Sequence, residues 1–313
     1  MTATIALDVH VHVVPAGHLA GTNGVAWNPQ TRDLCIDGKP VTLKDLFEPS
    51  LLLAWMDRQR IDRAWISVPP LVYRQQLDEV ASGDWTARLN EGLAAIAADH
   101  PGRLAPLYHL PAEHPSLAAR MARALGASRY ALCAGGESEA SFSDPAFAPL
   151  WAELEAARAF VFLHPGRCCD GRLRQFYLEN LLGNPHETSI AVAHLVFGGV
   201  LERYPHIRFC LAHGGGTVPM MAGRWQHGFN IALPELKEMR GDGPLLLLRR
   251  FYADCLTHSE QALDCSADLF GLEHLIFGSD WPFAMGIADP RGYLAGLRAE
   301  LAEQLRKAPR TLG

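Results

Sequence analysis

The chain has 313 residues, is 49% hydrophobic and 20% charged, and carries a formal net charge of −6. That balance gives no electrostatic grip on nucleic acid or an anionic membrane, and no apolar run approaches the roughly 20 residues that cross a bilayer. The amino terminus shows no secretory signal, and seven scattered cysteines without a C-x-x-C pair read as buried, reduced thiols of a cytoplasmic protein.

Short apolar runs alternate with longer amphipathic ones along the chain. In order, the spacing predicts strands over 5–13, 63–68, 103–109, 129–133, 159–164, 207–212, 251–255 and 274–278. Between them it predicts helices such as 50–60, 84–99, 115–125, 145–157, 185–204 and 290–307. Pro115, Pro145, Pro185 and Pro290 begin four of these segments, where the missing N–H costs nothing. Strand–helix alternation implies parallel strands with helical crossovers. Eight strands in a chain of this length predict one domain, residues 1–313, folded as an α/β (β/α)8 TIM-type barrel. Residues 15–49 are too long for a plain connection. Within them "LCIDGKPVTL" carries a D-G turn between two apolar runs, which predicts a small hairpin inserted after the first strand.

The first strand, "IALDVHVHVVP", carries His10 and His12 on one face. Two buried imidazoles are costly if either is charged, and a metal ion relieves that cost by taking neutral rings as ligands. Alone, H-x-H reads better as a pair of core or surface histidines. Three more segments change the balance. "FVFLHPG" puts His164 at the carboxyl end of the fifth strand, "RFCLAHGGG" puts His213 after the sixth, and "LIFGSDWPF" puts Asp280 after the eighth. Barrel enzymes assemble their sites from these strand ends. His109 ends the third strand, either as a substrate hydrogen-bond partner or as a structural histidine. Arg167 is a loop arginine that could face solvent or meet an anionic substrate. Gly214, Gly215 and Gly216 read as space for substrate beside His213, since no phosphate-binding pattern surrounds them. Arg224 lies in a helical stretch, Asp254 and His258 read as groups that support the site from behind or as loop packing, and His186 as packing at a helix start. Trp281 and Phe283 could stack on a flat substrate or simply pack the rim.

The set D-x-H-x-H, L-H-P, A-H-G-G-G and G-S-D-W-P-F resembles the amidohydrolase superfamily. The stretch "GNPHETSIAVAHLVFGGVLERYPHIRFCLAHGGGTVPMMAGRWQHGF" is similar to its branch of aminocarboxymuconate semialdehyde decarboxylase and related aromatic-acid decarboxylases. The similarity covers nearly the whole chain and is weakest over 15–49 and at the carboxyl terminus, where "RKA" stands for the usual G-N-A. It implies one divalent metal, zinc in the first place with manganese also suited, held by His10, His12, His164 and Asp280 with water in an open position. It also implies that His213 is the acid–base, assisted by Asp280, and that Arg224 reaches across a homodimer interface to the neighbour's substrate carboxylate.

Binuclear members need a carboxylated lysine on a mid-barrel strand, and none of Lys39, Lys44, Lys237 and Lys307 falls on a predicted strand. Two positions depart from the branch. Leu52 stands where an arginine grips the substrate carboxylate, and Gly166 stands for a tryptophan. Arg167 could supply the missing charge. The resulting expectation is a metal-dependent, nonoxidative decarboxylase of a small aromatic or unsaturated carboxylic acid. The alternative, favoured by the two departures, is a metal-dependent hydrolase of a cyclic amide, lactone or related molecule. A noncatalytic binding protein on the same scaffold is the third reading.

Overall fold

The computed structural model describes residues 4–136, 141–168, 170–236, 241 and 243–309. Its strands are β1 (Asp8–His12), β2 (Val25–Asn28), β3 (Asp33–Ile36), β4 (Lys39–Val41), β5 (Ala64–Ser67), β6 (Leu104–Pro106), β7 (Tyr108–Leu110), β8 (Arg129–Ala134), β9 (Phe160–Pro165), β10 (Arg208–Leu211), β11 (Tyr252–Asp254) and β12 (Leu275–Ile276). Its helices are α1 (Ala16–Leu19), α2 (Pro49–Gln59), α3 (Glu79–Asp99), α4 (Pro115–Leu125), α5 (Ala148–Ala156), α6 (Asn184–Phe197), α7 (Val200–Arg203), α8 (Val218–Asn230), α9 (Pro244–Leu248), α10 (Glu260–Phe270), α11 (Pro290–Gly296) and α12 (Ala299–Arg306). The chain forms two compact units, Met1–His109 with Ile276–Gly313, and Leu110–Leu275.

In the first unit, β1 pairs in parallel with β5 and β5 with β6. Every residue of β1 is buried, as expected of a parallel strand covered on both faces. The Val9 amide donates to the Phe277 carbonyl at 3.0 Å, which binds β1 to the segment that carries Asp280. The insertion is larger than a hairpin. β3 and β4 form the expected pair around Asp37 and Gly38, both at positive φ (49° and 76°), as a two-residue turn requires. β2 adds a third antiparallel strand, Val25 opposite Ile36. Its apolar run, residues 25–27, is short and half-exposed. Lys39 therefore does sit on a strand, but on β4 of this insertion. α3 starts earlier than expected because the Asp78 carboxylate caps it, accepting from the Ala81 amide at 2.9 Å. The expected helix 290–307 is two helices, with Leu297 and Arg298 extended between them.

The second unit holds parallel strands with β9 between β8 and β10, and β11 beyond β10. Phe160, Phe162, Phe209 and Trp151 fill its core. The expected helix 185–204 breaks where Gly199 adopts φ 67°, separating α6 from α7. The segment at Pro145 begins as one tight turn before α5. The expected strand 103–109 is interrupted at Leu107, giving β6 and β7.

The cysteine expectation needs one correction. Cys133, Cys168, Cys210 and Cys255 are buried, but Cys35 is half-buried and Cys265 is exposed. Cys169 lies outside the described residues. Among the described residues no helix is long and apolar enough to cross a membrane.

Candidate metal centre

The first unit brings three expected ligands together. His10 and His12 project from the same face of β1, their Nε2 atoms 3.1 Å apart and both side chains fully buried. Asp280 Oδ1 lies 3.3 Å from His10 Nε2 and 3.2 Å from His12 Nε2. Donor atoms about 2.1 Å from a common ion lie about 3.0–3.4 Å from one another, so these three atoms already stand at ligand spacing. The donor set also fits. Burial lowers the His12 pKa, leaving a neutral ring with a lone pair to give. Burial opposes ionisation of Asp280, but the neighbouring His10 and His12 rings outweigh it and hold its carboxyl well below the usual range.

Asp280 reaches this position through its backbone. It sits at φ 59°, a left-handed conformation that short polar residues tolerate. Its amide donates to the His10 carbonyl at 2.7 Å, and the Trp281 carbonyl accepts from the His12 amide at 2.9 Å. Asp8, the first residue of D-x-H-x-H, ties the same two segments. Its Oδ1 accepts from the amides of His10 (3.1 Å) and Ser279 (3.0 Å). Burial pushes its carboxyl up to about 7, against the lowering effect of those bonds. Sequence reasoning left Asp8 without a role, although the D in that motif was the available signal. Phe283 sets its ring edge-on to His12 at 5.5 Å, and Trp281 lies 6.3 Å from Trp55.

His109 is buried in the same unit, stacked on Tyr73 at 4.7 Å. Asn90 clamps its backbone in both directions at 2.8 Å. Burial lowers its pKa to about 4, so the ring is neutral, and its Nδ1 meets no hydrogen-bond partner among the described residues. Leu52 is fully buried on α2.

The second unit carries His164 and His213. His164 ends β9 with its Nδ1 2.9 Å from the Pro165 carbonyl. A carbonyl only accepts, so Nδ1 carries the proton and Nε2 keeps a lone pair. His213 lies just past β10 at φ 55°, half-buried, its ring 5.2 Å from that of His164 in an edge-on arrangement. Buried Asp254 holds the following turn by accepting from the Gly214 and Leu256 amides at 2.8 and 3.0 Å, which bears out its loop-packing role.

The glycine run is not space for substrate. A Cβ on Gly214 would lie 2.3 Å from Thr257 Cγ2, on Gly215 2.7 Å from the Phe270 ring, and on Gly216 2.4 Å from the Pro185 carbonyl. Protein already fills those places, and all three residues have positive φ. Gly214→Ala is therefore expected to destabilise the protein by about 2 kcal/mol, measurable as a lower denaturant midpoint. An unchanged midpoint would show that the turn can relax.

Arg167 is exposed and pairs with Glu179 at 3.4 Å. Arg224 is exposed on α8, and His186 is exposed in the first turn of α6 rather than packed there.

A family model described as amidohydrolase matches residues 7–308, and the chain belongs to that family. A 2-amino-3-carboxymuconate-6-semialdehyde decarboxylase of Dictyostelium discoideum is 28% identical over 300 residues, 90% of this chain and 83% of that protein. The crystal structure of Metarhizium anisopliae IDCase in apo form superposes with a TM-score of 0.80 at 23% identity, covering 96% of this chain and 94% of that one. A dihydroxybenzoic acid decarboxylase from Polaromonas sp. JS666, with bound manganese and the inhibitor 2-nitroresorcinol, superposes with a TM-score of 0.76 at 18% identity, covering 97% and 94% of the two chains. The fold class is accordingly the α/β barrel of this family. The protein is a metal-dependent, nonoxidative carboxy-lyase.

Proposed function

We propose that the protein removes CO2 from a small aromatic acid at a mononuclear site whose ligands are His10, His12, His164 and Asp280. The observation that carries this reading is the triangle of His10 Nε2, His12 Nε2 and Asp280 Oδ1, with edges of 3.1–3.3 Å. His164 is assigned as the fourth ligand because the Pro165 carbonyl engages its Nδ1, which puts the lone pair on Nε2, and it ends a barrel strand. Three histidines and a carboxylate suit zinc or manganese. Phe283 and Trp281 offer aromatic faces to a flat substrate. His109, neutral and with an open Nδ1, offers a hydrogen bond to it.

A divalent ion held there supplies Lewis-acid polarisation of a substrate oxygen. The bond between the ring carbon and the carboxylate breaks, CO2 leaves, and the electron pair stays on that carbon. His213 then delivers a proton to it. Half-buried beside His164, it has both the shelter and the access this needs.

We assign a homodimer and place Arg224 at the neighbour's substrate, with Arg167 as the nearer source of positive charge. Exposed apolar side chains support a buried partner face, notably Met220 on α8, about one helical turn from Arg224, and Phe176 and Tyr177. Thiols rather than disulfides at Cys35, Cys168, Cys210 and Cys265 support a reducing, cytoplasmic setting.

The test offers hydroxybenzoates and unsaturated carboxylates to metal-loaded protein and weighs the products. A loss of about 44 Da, abolished by a chelator and restored by zinc or manganese, is expected. A gain of about 18 Da instead would replace decarboxylation with water addition.

A further inference from the structure

β1 and β5 run in parallel with His12 aligned to Ser67. This register brings a second polar side chain onto the His12 ring. Ser67 is 1% exposed, and its Oγ lies 3.2 Å from His12 Nδ1 and 3.3 Å from the Val11 carbonyl. A hydroxyl has one proton and two lone pairs. The Val11 carbonyl can only accept, so the Ser67 proton goes to it. The hydroxyl oxygen must then accept at His12, which places a proton on Nδ1 and leaves the Nε2 lone pair pointing at His10 Nε2 and Asp280 Oδ1.

We propose that Ser67 is a positioning residue that fixes His12 as the Nδ1–H tautomer and so presents Nε2 to the metal. This rests on His12 being a ligand, as proposed above. The need for such a device is local. Asp280 Oδ1, 3.2 Å from His12 Nε2, would otherwise accept a proton from that same nitrogen and hold the ring in the tautomer that cannot bind a cation. His164 solves the equivalent problem with a backbone carbonyl, at Pro165. His12 has a side chain at its Nδ1, that of Ser67, which can be changed.

The experiment measures zinc affinity by chelator competition for the parent, Ser67→Ala, Ser67→Thr and His12→Ala. It also records the imidazole N–H resonances of the zinc-loaded protein. Ser67→Ala is expected to weaken zinc binding by about 10- to 100-fold and to speed exchange of the His12 Nδ1 proton, while the His164 Nδ1 proton is unchanged. Ser67→Thr, which keeps the hydroxyl, is expected to restore both. Zinc affinity of Ser67→Ala within about twofold of the parent's, or a parent His12 protonated at Nε2, overturns the proposal. The second result needs no variant to fold. If the parent and His12→Ala bind zinc equally, the metal-site reading itself has failed, a different result from either of these.

Discussion

Replacing Asp280 with asparagine is expected to leave a folded protein that has lost most of its metal and about 10³-fold or more of its kcat/KM. Asparagine keeps the side-chain shape and tolerates φ near 59°, so the turn that places it should survive. What disappears is the negative charge opposite two neutral imidazoles. The amide could still offer an oxygen, but a neutral one, and its NH2 would point hydrogens towards Nε2 atoms that also need to face the ion. The check is metal content per chain by mass spectrometry, alongside CO2 release. Full metal occupancy in this variant would remove Asp280 from the ligand set.

His213→Asn should behave differently. Here kcat is expected to fall by about 10²- to 10⁴-fold, the range for loss of a positioned acid–base, with metal content unchanged. Asparagine again suits the backbone, because His213 also sits at positive φ. The Gly214 and Leu256 amides keep their acceptor in Asp254, so the turn stays anchored. The two variants together separate holding the ion from moving the proton. A variant at His213 that lost metal in proportion to activity would make it a ligand instead.

Much of this was legible in the chain because strand periodicity and chemistry coincide. All eight expected barrel strands have counterparts, and helix 115–125 has the expected bounds. His10, His12 and Asp280 meet as the motif spacing implied. Other features turn on tertiary pairing that no local pattern carries. Ser67 touches His12 only through the β1–β5 register. The glycines after His213 looked like room for a ligand, whereas Thr257, Phe270 and Pro185 occupy that room. β2 has a short, half-exposed apolar run and is recognisable as a strand through its pairing with β3. The break at Gly199 lies inside an apolar stretch whose helical periodicity continues across it.

The clamp made by Asp8 has a consequence for the order in which the chain can mature. Its acceptor oxygen joins the Ser279 amide, 271 residues further on. During synthesis His10 and His12 therefore emerge long before the segment that completes their cluster, while Leu110–Leu275 forms one uninterrupted stretch. Domains generally fold as their segments become available, and contacts of such long sequence separation form slowly. The first unit must wait for its closing segment, and a nascent chain stalled before Ser279 would expose two histidines with no carboxylate between them. Capture of an ion by these three donors is thereby deferred until Asp280 has been made.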